Sequence, residues 1–234
     1  MVKVLVASRN QGKIRELEQV LRELNIDGVE LVSLNEAPAY PDPVEDGLSF
    51  AENALLKARA GAKATGLACV ADDSGLTVEA LNGMPGILSA RWSGTHGDNR
   101  ANNDLLLAQM ADINERAAAF VSCCALVTPA GEEHTAEGRW EGQLLREPRG
   151  KNGFGYDPLF QPADADGRSS AELTAEEKNA RSHRSKALRA LAPHIAALAR
   201  GNWLQWRNEE NHCTCRNCSG FRRPARRLRP FGRF

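Results

Sequence analysis

The chain has 234 residues, 42% hydrophobic and 26% charged, with 30 basic and 30 acidic side chains in balance, enough for one core of ordinary size or two small ones. No run approaches the roughly 20 apolar residues of a membrane span, and the N-terminal apolar stretch of about half a dozen residues before Arg9 is shorter than a secretory leader needs. A single cytoplasmic domain is the expectation.

Residues 2–6 (VKVLV) read as a buried strand, after which Ile14, Leu17, Val20, Leu21 and Leu24 recur at helical spacing. Residues 29–34 (VELVSL) suggest a second strand. The Pro-rich stretch 36–47 (EAPAYPDPVEDG) is a loop, since its prolines cannot join a ladder. A long helix over 48–66 ends at Gly66, and LACVA (67–71) is a strand expected to stop at Asp72-Asp73-Ser74-Gly75. Residues 102–113 read as a further helix, and 118–129 with 132–145 as a hairpin of long strands turning at Ala130-Gly131. Strand, helix and hairpin in this order imply an α/β protein with a mixed central sheet and flanking helices. The stretch 173–200 is helical in pattern, with Thr174 and Glu177 at capping-box spacing.

A domain over 1–200 and an extension over 201–234 differ in kind. The extension holds eight Arg, no Lys and two acids, whereas the body holds 22 basic and 28 acidic residues. Cys69, Cys123 and Cys124 lie in apolar runs and read as reduced core thiols, not a disulfide framework. In the extension His212, Cys213, Cys215 and Cys218 are numerous enough for zinc but lack the second CxxC of a usual finger. Its arginines suit a nucleic-acid backbone, and its Arg, Pro and Gly without a periodic apolar face suit disorder.

Five places offer chemistry. Ser8, Arg9, Asn10, Gln11, Gly12 and Lys13 form a polar loop between strand and helix, where outward N–H groups and a lysine suit phosphate, or merely cap the helix. It is not a Walker A loop, which disfavours a nucleotide kinase. Asp72 and Asp73 would repel one another unless a cation intervened or the segment were simply a turn; on an extended chain they face opposite ways, one toward ligand and one into structure. Glu45 either caps the helix that begins near Ser49 or brings a second carboxylate to a metal. Glu52 and Lys57 on that helix are expected to shape a face, not to do chemistry. GKNGFGYDP (150–158) presents Phe154 and Tyr156 on a glycine-rich backbone, to stack on a planar base or to plug the core. Lys178, His183 and Arg184 share a ligand only if the helix breaks, because in one helix positions 178 and 183 point about 140° apart. Ser182 as a second cap would achieve that.

In this order the segments Ser8-x-Asn10-x-x-Lys13, FAENALLKA (50–58), ADDSGL (71–76), GMPGILSARWSG (83–94), GFGYDPLF (153–160) and ELTAEEKNARSHR (172–184) resemble the inosine triphosphate pyrophosphatase family. The resemblance covers residues 1 to about 200. It implies two lobes around a cleft, a homodimer, and Mg²⁺-dependent hydrolysis of ITP, dITP and XTP to the monophosphate and pyrophosphate. It further implies Asp73 as general base and metal ligand, Glu45 as second metal ligand, and substrate contacts from residues 8–13, Ser74, Phe154, Gly155, Tyr156, Asp157, Lys178, His183 and Arg184. Arg9 stands where members of that family often have a small residue. The alternative from another class is a nucleotide-sensing module with a basic tail.

Overall fold

A computed structural model describes residues 1–201 of the chain; the readings made for the rest of the extension, zinc and disorder included, lie outside the described residues. Six strands form one sheet. β1 (Val2–Val6) pairs in parallel with β2 (Val29–Ser33) on one side and β3 (Ala68–Val78) on the other; β4 (Ala117–Val127), β5 (Glu133–Leu144) and β6 (Phe160–Pro162) continue it antiparallel, in the order β2-β1-β3-β4-β5-β6. The mixed sheet and the long hairpin follow the sequence expectation; the short β6 is an addition to it.

Helix α1 (Gln11–Glu23) starts where the Asn10 side chain accepts a hydrogen bond from Gly12 N, and it buries Ile14, Leu17, Val20 and Leu21. Each such side chain contributes about 1.5–3 kcal/mol on leaving water. Helix α2 (Phe50–Thr65) is capped by Ser49 and closes at the left-handed Gly66. The small buried residues Ala54, Ala58, Gly61 and Ala62 bring α2 close to the sheet, where a Cβ on Gly61 would strike Leu5 and Tyr40. Helix α3 is Asn99–Gln109. The C-terminal helical stretch breaks at Ser182, whose extended ψ of 154° ends α4 (Ala175–Arg181) and whose side chain caps α5 (His183–Ala199).

The sheet is longer than local residues suggest. β3 does not stop at Asp72: it runs through Asp72, Asp73, Ser74 and Gly75 to Val78, each paired with β4 from Cys124 to Ala118. The apolar, unbroken β4 supplies ladder partners that outweigh the turn preference of Asp-Asp-Ser-Gly. One end of the sheet carries two apolar clusters, with α1 and α5 on one face and α2 on the other. A third cluster, built from Leu76, Val78, Phe120, Trp140, Tyr156 and Phe160 among others, forms around the far halves of β3, β4 and β5. The molecule thus has two lobes, and the Asp-Asp-Ser-Gly segment crosses between them.

Candidate active site

Strand alternation sends the adjacent acids to opposite faces. Asp73 turns to the α2 face, where Asn53 Nδ2 donates to it at 3.1 Å and Lys57 Nζ lies at 3.3 Å. The same ammonium sits 3.4 Å from Glu45 Oε1, so Glu45 and Asp73 converge on one cation. Asn53 also accepts from Gly47 N at 2.9 Å, which ties the Glu45 loop to the strand acid. Burial, seconded by the Glu45 charge, raises the Asp73 carboxyl from its ordinary value against the opposing pull of Lys57 and Asn53. A carboxylate so perturbed is a better proton acceptor than an exposed one.

Asp72 faces α1 and α5. Lys13 Nζ contacts its two oxygens at 2.8 and 3.0 Å, and Arg184 Nε donates to Oδ2 at 3.1 Å. Burial alone would raise this carboxyl; the charges of Lys13 and Arg184 prevail and hold it well below the ordinary range. Arg184 further reaches Glu16 and Ser74, each at 3.3 Å. Although burial works against its charge, Asp72 and Glu16 keep the guanidinium protonated.

Beside this network a cleft of about 180 Å³ is walled by Ser74, Phe120, Phe154, Lys178, His183 and Arg184, together with Ser89 and Tyr156. A smaller hollow lined by Ser8, Lys13 and Asp72 adjoins it through the shared Arg184. His183 stacks on Phe120 with centroids 5.0 Å apart, and burial, with Arg184 and Lys178 nearby, keeps its pKa well below the free value. A neutral, flat imidazole and the 60% exposed Phe154 ring suit a planar ligand. Lys178 Nζ stands 5.2 Å from the Phe154 centroid.

The structure brings together Ser8, Lys13, Ser74, Phe154, Lys178, His183 and Arg184, with Asp73 and Glu45 across the strand. Asn10 acts as the α1 cap, Gln11 and Gly12 are its exposed first residues, and Arg9 turns outward to Asp42 at 2.9 Å. Gly155 and the two residues after it line the cleft while spending their polar atoms on protein. Gly155 O accepts from Asn103, Tyr156 OH donates to Ser89 O at 2.9 Å, and Asp157 takes Lys178 Nζ, Phe154 N and Ser170 Oγ. Lys57 corrects the sequence expectation: it lies between the two acids. The missed signal was its pairing with Asn53 at i, i+4, two polar residues on the helix face that also carries buried Ala54 and Ala58.

These features define an α/β protein whose cleft suits a polyanion joined to a planar group, with a carboxylate pair placed for a cation. The profile of the Ham1 family matches residues 4–194, and the chain belongs to that family. It is 63% identical over 205 residues to a protein of Corynebacterium efficiens named dITP/XTP pyrophosphatase, covering 85% of this chain and 99% of that one. Among solved structures, a nucleoside-triphosphatase / dITP/XTP pyrophosphatase from Mycobacterium abscessus is 61% identical with a TM-score of 0.70, covering 83% of this chain and all of the other. A HAM1 protein from Coxiella burnetii is 41% identical with a TM-score of 0.76, over 83% of this chain and 98% of its own.

Proposed function

We propose that this protein hydrolyses the non-canonical purine nucleoside triphosphates ITP, dITP and XTP to monophosphate and pyrophosphate, with Mg²⁺, as a cytoplasmic homodimer. The convergence of Asp73 and Glu45 on a single cationic position, now taken by the Lys57 ammonium across β3 from the Asp72 network, carries this reading, supported by the activity named for its relatives. Two carboxylates suit Mg²⁺, which completes its shell with waters and phosphate oxygens. Asp73 and Glu45 would hold it. When bound, Mg²⁺ neutralises phosphate charge and makes water a stronger acid.

The protein's own groups do the rest. Asp73, its carboxyl raised by burial, accepts the proton of the attacking water, oriented by Asn53 and Lys57. Lys13 and the N–H groups at the start of α1 hold the departing pyrophosphate. Arg184 offers N–H donors to the O6 acceptor of a 6-keto purine; the amino group of adenine would meet donor with donor, a mismatch that discriminates strongly. Phe154 covers the base, and Lys178 is aimed beside it by Asp157.

The test is pyrophosphate release from ITP, XTP, GTP and ATP, with Mg²⁺ and then with EDTA, in the full chain and in Asp73→Asn. Metal-dependent release from ITP and XTP ahead of GTP and ATP, abolished in the folded variant, is expected. A folded protein that binds these nucleotides without releasing pyrophosphate would instead be a sensing module, and substantial activity in Asp73→Asn would remove that residue from its role. Light scattering of the purified protein checks the dimer.

A further inference from the structure

We infer that Asp72 is a positioning residue that couples the phosphate end of the site to the base end, so that occupation of the first orders the second. The inference rests on the activity proposed above and goes beyond it, since it concerns a carboxylate that touches no substrate in that scheme.

Asp72 Oδ2 is shared. Lys13 Nζ approaches it at 3.0 Å from α1 and Arg184 Nε at 3.1 Å from α5, while Oδ1 takes Lys13 alone at 2.8 Å. These side chains are only 10–26% exposed, so little water screens the competition. Lys13 and Arg184 are the cations assigned to opposite ends of the ligand, and they lie 171 positions apart in sequence with one acceptor between them. A polyphosphate that draws the Lys13 ammonium toward itself leaves Oδ2 to Arg184. The guanidinium then closes on Asp72 and keeps its contacts to Ser74 and Glu16, held in place in the wall of the cleft that it and Ser74 line. The ordering of Arg184 is thereby completed before the base arrives, and a second ligand that meets an already ordered site binds more tightly. Placement of Asp72 on the strand face away from Asp73 keeps this linkage apart from the proton-accepting carboxylate.

The test divides the substrate into its two ends. Inosine affinity is titrated by NMR without and with saturating magnesium pyrophosphate, in the wild-type protein and in Asp72→Asn. Pyrophosphate is expected to tighten inosine about five-fold or more in the wild type, the lower end of ordinary coupling between sites, and to leave it unchanged in the variant. A merely structural role would weaken each ligand by itself and preserve the ratio, so a ratio retained in Asp72→Asn overturns the inference. A second measurement needs no Asp72 variant: the Arg184 Nε–H signal, assigned by its loss in Arg184→Lys, should exchange more slowly with solvent once magnesium pyrophosphate is added to the wild type. Unchanged exchange overturns the inference as well. Wild-type protein that releases pyrophosphate from ITP yet shows no effect of pyrophosphate on inosine sinks the coupling alone; absence of release sinks the proposed activity.

Discussion

Replacing Asp157 with alanine strips the cleft of its most heavily used acceptor. The carboxylate takes Lys178 Nζ at 2.6 Å and both Phe154 N and Ser170 Oγ at 2.8 Å, and the residue is 1% exposed. Truncation leaves an ammonium and two neutral donors unpaired. Removing one member of a buried ion pair costs about 3–5 kcal/mol. The Lys178 side chain is 20% exposed and recovers some hydration, which places the expected loss near the lower end, about 3 kcal/mol. In a domain of this size that lowers Tm by about 6–12 °C, at roughly 2–4 °C per kcal/mol. Urea and thermal unfolding of Asp157→Ala measure the loss directly, and steady-state kinetics with ITP should show a raised KM because Lys178 and Phe154 lose their anchor. Asp157→Asn, which keeps a neutral acceptor, should lose less than half as much stability. A loss for Asp157→Ala within about 0.5 kcal/mol, the range of ordinary surface changes, together with an unchanged KM would refute the anchoring role.

Gly138→Ala should destabilise by at least about 1–3 kcal/mol, the usual cost of overpacking, because the added Cβ would overlap His183 O and Ala187 N of α5; wild-type stability in urea would contradict the close approach. Stability should also fall on acidification. Burial lowers the folded pKa of His183 and His194, with Arg184 and the stacked His134 ring respectively adding to the effect. Their contribution is therefore fully present above the unfolded value of about 6.5 and is lost as the pH falls through it toward the folded values. Urea midpoints at pH 7.5 and 5.5 measure the slope, which His194→Gln should reduce; an equal slope in that variant would remove His194 from the account.

How much of this was legible in the chain depended on the distance between partners. The opening strand and helix, the hairpin and the Ser182 cap are signalled by neighbouring residues: apolar periodicity, Ala130-Gly131, and a hydroxyl before a helical run. The extension of β3 was hidden because Asp-Asp-Ser-Gly favours a turn locally, and only β4, more than forty residues later, supplies the ladder that overrules it. The ion pairs were hidden for the same reason. Lys57 meets Asp73 from 16 positions away, and Asp72 meets Lys13 and Arg184 from 59 and 112. Residue types marked the acids as candidates, and alternation foretold their opposite directions. Which cation each would face was fixed only by tertiary packing.

Gly75 has a bearing on how this site can change. The turn at Gly86–Arg91 lies against it so closely that a Cβ there would overlap Gly86 O and Ser89 Oγ, and Ser89 Oγ accepts from Leu76 N at 2.9 Å. A strand that slipped by one residue would offer Ser74 or Leu76 to a space only glycine fits, and the same slip would exchange the two acids between faces. Parity and clearance thus guard each other: a lineage could lengthen or shorten the loops on either side of β3, but a single inserted residue between Asp72 and Gly75 would put either a carboxylate on the wrong face or a side chain in the place of the glycine.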